Sequence, residues 1–341
     1  MMKTNFLKFM IALCFSLVIS KAATAAQVLH VATWLPPSHT MNVDFWPTWG
    51  KWVEEATEGR VTVKVEYGMG HPKSIYDLVE DGVAEAGFSY HGYVPGRFKL
   101  PQAVELPGLG VKAEAASVAL WRVQQKYFAK AHEFEGLALI GMFTHGPGYV
   151  HTIDPITSLA QLKGKKIRIG GGIQSELGER LGITPIAAPA SKVYEMLQQG
   201  VIDGVFLPIN EQKALRLAEV APNVLKVPGG MYLGSFSIFM NEDFLANLSQ
   251  KDRDAIMSVS GEKLSALAGR LYDEDDVKGE QYAKEMGGNI VEAEKGGKLS
   301  QEFQKISEGL EAEWVESVKD TGVQGQQALD ELKEIAQNYG N

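Results

Sequence analysis

Apolar and polar positions repeat with two different periods along the chain, and the switches between them mark its elements. Residues 28–34 (VLHVATW) form an apolar run suited to a buried strand and lead into a Leu35-Pro36-Pro37-Ser38-His39 loop. Over 41–57, Phe45, Trp49, Trp52 and Val53 recur at helical spacing, so their rings are expected in a core. Residues 61–67 alternate as a second strand, 74–80 read as a short helix and 85–90 as a third strand. This βαβαβ order predicts a mainly parallel sheet with right-handed crossovers, whose ligands sit beyond the carboxyl ends of the strands. The loops at 34–39, 68–73 and 90–96 are expected to share that edge.

A helix over 115–132 and a strand over 137–144 end at the Gly146-Pro147-Gly148 break, which reads as a crossing point. The pattern then restarts with strands at 165–169, 183–187 and 204–207, interleaved with helices at 158–162, 174–181, 191–199 and 210–218. That is a second α/β unit. The strand 235–240 follows Pro228-Gly229-Gly230 and is placed back in the first sheet. Ser249-Gln250-Lys251-Asp252 resembles a capping box that opens one helix running toward Lys278, long enough to touch both units. The remainder, 300–339, is helical and rich in Glu and Lys.

The first 25 residues read as an export signal: Lys3 and Lys8, an apolar run over 9–19, then small residues ending at Ala25. Its apolar run is short for a membrane span. The single cysteine, Cys14, lies inside it, so disulfides, thiolate metal sites and cysteine nucleophiles are not expected in the mature chain. Cleavage would leave 30 Lys+Arg of the original 33 against 42 Asp+Glu, and the formal charge would move from -9 to -12. Such a field repels nucleic acid, and no basic stripe offsets it. An anionic ligand would need a local positive site.

One candidate is Arg168, which ends the strand 165–169 beside Gly170-Gly171-Gly172. A guanidinium there can reach into an interdomain cleft and hold a carboxylate in a bidentate pair. The glycines open a helix, whose free N–H groups and dipole attract an anion, or they simply make a tight turn. Ser175 stands where a GxGxxG run would carry its last glycine, and no Walker A sequence occurs. Histidines 39, 71, 91, 145 and 151 fall in or near loops without HExxH spacing, and a GxSxG elbow is missing. The acids Glu54, Glu55, Glu80, Asp81, Asp273, Glu274, Asp275 and Asp276 are expected on solvated helix faces.

The stretch Gln161-Leu162-Lys163-Gly164-Lys165-Lys166-Ile167-Arg168 resembles the substrate-binding proteins of tripartite ATP-independent periplasmic (TRAP) transporters of the DctP type. Pro189-Ala190-Ser191-Lys192-Val193-Tyr194-Glu195, Val201-Ile202-Asp203-Gly204, Pro95-Gly96-Arg97-Phe98 and Glu105-Leu106-Pro107 extend the likeness over nearly the whole mature chain. The resemblance implies a two-domain periplasmic binding fold with crossing strands and a long interdomain helix. On it, residues 26–145 with 235–277 form one domain, and 146–234 with 278–341 the other. It further implies an organic acid clamped by Arg168, no cofactor, and delivery to membrane permease subunits.

Three departures from the family pattern shape the expected ligand. Leu207 precedes Pro208 where an asparagine is common, Ala190 and Lys192 replace an aromatic and an acid, and Gly146-Pro147-Gly148-Tyr149 fills the place of a second basic residue. Fewer polar partners imply a monocarboxylate with an apolar or aromatic body. Trp34, Tyr90, Phe206, Leu207 and Tyr232 are candidate walls, Gly170 the turn beside Arg168, and His39, His71 and His91 candidate polar contacts. An exported metal-dependent enzyme using a histidine-lined cleft is the alternative, and a sensing receptor differs only in its membrane partner.

Overall fold

The structure is a computed structural model that describes residues 26–340, so the expected export signal and Cys14 lie outside the described residues. Two sheets form the frame. Strands β1 (Gln27–Thr33), β2 (Val61–Tyr67), β3 (Ala86–Tyr90) and β4 (Leu137–Thr144) build the first, with β10 (Ser235–Asn241) inserted in the order β2-β1-β3-β10-β4. Strands β5 (Gly148–Thr152), β6 (Lys166–Ile169), β7 (Thr184–Ala187), β8 (Gly204–Pro208), β9 (Asn223–Lys226) and β11 (Asn289–Glu292) form the second, ordered β11-β9-β5-β8-β6-β7. β1 runs parallel to β2 and β3, while β10 is antiparallel to both β3 and β4. The strand after Pro228-Gly229-Gly230 thus does return to the first sheet.

Two chain passages link the sheets side by side. The Gly148 N–H donates to the Tyr232 carbonyl at 2.8 Å, and the Met231 N–H donates back to the Gly148 carbonyl at 2.9 Å. The Gly146-Pro147 break is the turn between β4 and β5. A third passage is the helix Glu262–Glu285, whose 24 residues span about 36 Å at 1.5 Å each. It is shorter than the helix expected from Ser249. Ser249 does cap a helix, its hydroxyl accepting the Asp252 N–H, but that helix (Gln250–Ser258) stops before Gly261. Gly261 has a φ of 67°, a left-handed turn that an uninterrupted helix forbids.

Two acids of the long helix were expected in solvent and are instead docking groups. The Asp273 carboxylate accepts the Ala113 and Glu114 N–H groups at 2.7 and 3.0 Å, capping the helix Ala113–Val123 of the first unit. Asp276 accepts the Asn210 N–H of the second unit at 3.1 Å. Burial raises the pKa of both carboxyl groups. The helix expected over 115–132 tightens and loosens along its length, ending in a π-helical stretch (Gln124–Phe128) and a 3-10 turn with His132 left-handed at a φ of 54°.

The C-terminal residues differ from the expected division, which gave 278–341 to the second unit. The helix Lys298–Ser307 does pack on the second-unit helix Ile173–Leu181. The helix Gly325–Asn338 instead lies on Ala113–Val123, and the Trp314 indole N–H donates to the Lys99 carbonyl at 3.0 Å. Leu329, Leu332 and Ala336 form the apolar stripe that decides this, because they are buried at helical spacing. Trp46, Trp49 and Val53 fill the core beneath β1 in the same way, while Trp52 is only partly buried.

Candidate functional site

The sheets face each other across a cleft, and the groups at its floor come from strand ends. Arg168, in β6, is 2% exposed, yet it forms no ion pair among the described residues. Its Nε donates to the Ala188 carbonyl at 2.7 Å, Nη1 to the Phe206 carbonyl at 3.3 Å and Nη2 to the Tyr93 hydroxyl at 3.3 Å. All three partners are neutral. A guanidinium withdrawn from water without a counter-charge costs several kcal/mol, which a bound anion would offset.

Around Arg168 lies a closed pocket with a cavity volume of about 30 Å³, the space of a single water molecule, so a ligand enters only when the two units part. Trp34, Leu35, Ala190, Leu207, Pro208 and Phe236 give it apolar walls; Tyr90, Tyr93, Gln174, Tyr232, Tyr272, His145 and Glu211 supply polar atoms. Phe143 stacks behind Phe236 at 4.7 Å and fixes its ring. The Tyr232 hydroxyl is buried without a hydrogen-bond partner among the described residues. A larger groove between Pro107, Gly230 and the helix Lys298–Ser307 opens onto solvent elsewhere, and its charged groups, such as Lys305 and Glu308, are exposed.

The cleft is shut by contacts that cross it. The Tyr90 hydroxyl donates to the Gly171 carbonyl at 3.1 Å and accepts from the Gln174 amide at 3.2 Å. The Tyr93 hydroxyl accepts the Ala190 N–H at 2.9 Å while it supports Arg168. Glu105 is fully buried; it accepts the Ser235 N–H and hydroxyl at 3.0 and 2.7 Å on its own side, and the Ile173 N–H at 3.3 Å from the opposite side. Ile173 begins a helix, so the carboxylate also meets the positive end of a helix dipole. Burial still dominates and pushes the Glu105 carboxyl up to about 7, against the hydrogen bonds from Ser235 and Ile173. Gly171, at a φ of 102°, lies against the Gly92 backbone with no room for a Cβ between the two units.

Of the residues singled out from sequence, Trp34, Tyr90, Leu207, Tyr232 and Arg168 line this pocket. Phe206 stands behind it and offers its carbonyl to Arg168. Gly170 gives the strand end its close fit, since a Cβ there would meet the Tyr90 ring, and its N–H donates to the Gln174 side chain at 2.9 Å. His39 is buried behind the pocket beside Glu211, with Nε2 3.8 Å from that carboxylate.

His71 and His91 are elsewhere. His71 is exposed and accepts the Lys73 N–H, because β2 is the edge strand and its following loop is remote from the crossing strands. His91 turns inward in a 3-10 turn to Ser235, 2.8 Å from its hydroxyl, and packs on Phe98 and Phe134. Tyr93, two residues on, enters the pocket instead. Burial lowers His91 to about 3, and His145 and His151 to about 4, so all three rings are neutral. His151 is satisfied on both nitrogens by the Leu207 carbonyl and the Gln212 amide. Among the described residues no three His, Cys, Asp or Glu side chains converge as a metal site.

The fold and an anion-seeking interdomain pocket define a solute-binding protein. Residues 31–332 match the family model described as bacterial extracellular solute-binding protein, family 7 (DctP), and the chain belongs to that family. A TRAP periplasmic solute-binding protein of Bordetella bronchiseptica, solved with bound (R)- and (S)-mandelate, is similar at 34% identity, with TM-score 0.88 over 91% of this chain and 98% of that one. A marine metagenome TRAP solute-binding protein described as specific for aromatic acid ligands, in complex with 3-hydroxybenzoate, is 30% identical over 93% of this chain and 99% of that one, with TM-score 0.86. The curated outer membrane transporter protein TsaT of Comamonas testosteroni is 31% identical over 93% of this chain and 95% of its own length. The protein is therefore a binding component of a TRAP system and not an enzyme, which removes the metal-enzyme alternative. Its family is extracytoplasmic, takes small organic acids and works with membrane permease components. No described helix is long and apolar enough to cross a membrane.

Proposed function

We propose that the protein captures a monocarboxylate with an aromatic body in the closed cleft and passes it to the TRAP permease after export and cleavage near Ala25. One observation carries this reading: Arg168 is a buried cation whose protein partners are all neutral, at the floor of a pocket with apolar walls. The ligand carboxylate completes the charge pair, and dehydration on closure strengthens it. The unpaired Tyr232 hydroxyl supplies a further donor to the carboxylate. Trp34, Leu207 and Phe236 are the walls that would meet the ring, with Ala190 the smallest side chain beside them. The relatives that bind mandelate and 3-hydroxybenzoate at 30% identity or above support the same ligand class.

A calorimetric panel of benzoate, mandelate, aliphatic monocarboxylates, hexuronates and aryl sulfonates tests it on the mature chain. Aromatic carboxylates should bind tightest, and Arg168→Ala should weaken that binding by roughly thirtyfold or more. A panel in which hexuronates or sulfonates bind tightest, or in which Arg168→Ala binds benzoate as wild type does, overturns the reading.

A further inference from the structure

A second set of unmatched polar atoms lies at the pocket and just behind it: they belong to Glu211, which lines it, and to His39, buried behind Glu211. Glu211 lines the pocket and is 5% exposed; its Oε2 has no hydrogen-bond partner among the described residues, and its Oε1 receives only a long bond from Asn210 at 3.3 Å. His39 is 1% exposed. The Met41 N–H donates to its Nδ1 at 3.2 Å, so the ring proton sits on Nε2, and that N–H also has no partner. Nε2 lies 3.8 Å from Glu211 Oε1, too far for a direct hydrogen bond. A carboxylate with one unpartnered oxygen and a free ring N–H therefore stand side by side, the N–H 3.8 Å from the carboxylate's other oxygen.

The pair discriminates among ligand groups. An ammonium could donate to Glu211 but has no lone pair for the His39 N–H. A second carboxylate could accept from His39 but would be repelled by Glu211. A hydroxyl does both: it donates to the carboxylate and accepts from the imidazole. Buried polar groups are normally hydrogen-bonded, and a site built to bond a substrate hydroxyl rejects the analogue that lacks it. We infer that Glu211 and His39 form a hydroxyl-recognition subsite, so that the cognate ligand is a hydroxylated aromatic monocarboxylate rather than an unsubstituted one. This rests on the carboxylate reading of Arg168 given above.

The test is calorimetry of the mature protein with benzoate and phenylacetate, their three ring-hydroxylated isomers each, and the matching fluoro isomers. Fluorine has nearly the size of a hydroxyl but cannot donate to Glu211. One hydroxylated isomer should bind at least tenfold more tightly than its fluoro counterpart. In Glu211→Gln that ratio should fall to about twofold, whereas Arg168→Ala should weaken both members of the pair and preserve the ratio. Equal binding of hydroxy and fluoro isomers at every position, with benzoate still bound, overturns the subsite and spares the carboxylate reading. A ratio unchanged in Glu211→Gln overturns the role of Glu211. Absence of binding by every carboxylate overturns both readings.

Discussion

Two buried glutamates lie between or beside the two units, Glu105 joining them and Glu211 lining the pocket, and they are treated in opposite ways. Glu105 is met by the Ser235 N–H and hydroxyl and by the Ile173 N–H, and it joins the two units. Glu211 keeps an oxygen with no partner and faces the pocket, as Arg168 does without a counter-ion. The difference separates structure from recognition. A buried charge whose bonds are made within the protein holds the closed form together; one left open lowers stability until something binds.

The largest expected effect is the response to acid. His91, His145 and His151 have pKa values near 3, 4 and 4 in the folded chain because burial disfavours their charged forms, against about 6.5 when unfolded. Depressed values mean that the unfolded chain binds more protons. The stability they contribute is fully present above pH 6.5 and is lost as the pH falls toward 4 and below. At about 1.4 kcal/mol per pKa unit, each is worth roughly 3 to 5 kcal/mol. Urea denaturation should therefore show a steep loss of stability below pH 6, and a flat profile from pH 7 to 4.5 would contradict the burial of these rings.

Next in size is the loss of ligand affinity in Arg168→Ala, on the order of 2 to 5 kcal/mol for one member of a desolvated charge pair. Arg168→Lys should lie between, since an ammonium cannot serve Ala188, Phe206 and a carboxylate with one planar fork. Titration calorimetry with the tightest-binding aromatic acid measures both. Equal affinities for wild type and lysine variant would deny the bidentate pair.

Glu105 should show a pH dependence of the opposite sign to the histidines. Its folded pKa is raised to about 7, mainly by burial, so the folded chain binds more protons than the unfolded one between about pH 4.5 and 7. That contribution is fully present below pH 4.5 and is lost as the pH rises through 7. Three histidines outweigh one glutamate, so the wild type still loses stability in acid. In Glu105→Gln the opposing term disappears. The stability advantage of wild type over this variant should shrink by roughly 2 to 3 kcal/mol between pH 5 and pH 8, read by urea denaturation at both. A constant difference would show that Glu105 does not titrate in that range.

How much of this was legible beforehand depended on whether a feature was local. Arg168 could be found because it ends a strand beside a glycine turn, and the run before it carries the family pattern. The return of β10 to the first sheet followed from its apolar run and the preceding glycines. Tyr93 and Glu211 were missed for a different reason. Both sit in short turns, His91–Tyr93 and Glu211–Ala214, where a rotation of one or two residues decides which side chain enters the cleft and no periodicity records it. His71 was misjudged because the strand order, with β2 at the edge, depends on pairings distant in sequence. Asp273 and Asp276 read as solvated acids on a helix, since nothing near them reveals the N–H groups of Ala113 and Asn210 that they cap.

The smallest effect contrasts the two glutamates most directly. Replacing Glu105 takes away a group that three donors meet, so Glu105→Gln should destabilise the ligand-free protein at pH 5, where the folded carboxyl, raised to about 7, is almost wholly protonated and its hydrogen bonds with Ser235 must be rebuilt around an amide. Removing charge at Glu211 takes away a carboxylate with an unpartnered buried oxygen, and an amide of the same shape carries a smaller desolvation cost. Glu211→Gln should therefore raise the stability of the ligand-free protein by about 1 kcal/mol while it weakens selection of the hydroxylated ligand, the usual opposition between stability and function at a binding site. Thermal denaturation without ligand reads the first half, where a shift of about 2 °C upward is expected for a chain of this length. A downward shift would mean that Glu211 is held by bonds it makes in the empty protein, and the contrast between the two glutamates would be lost.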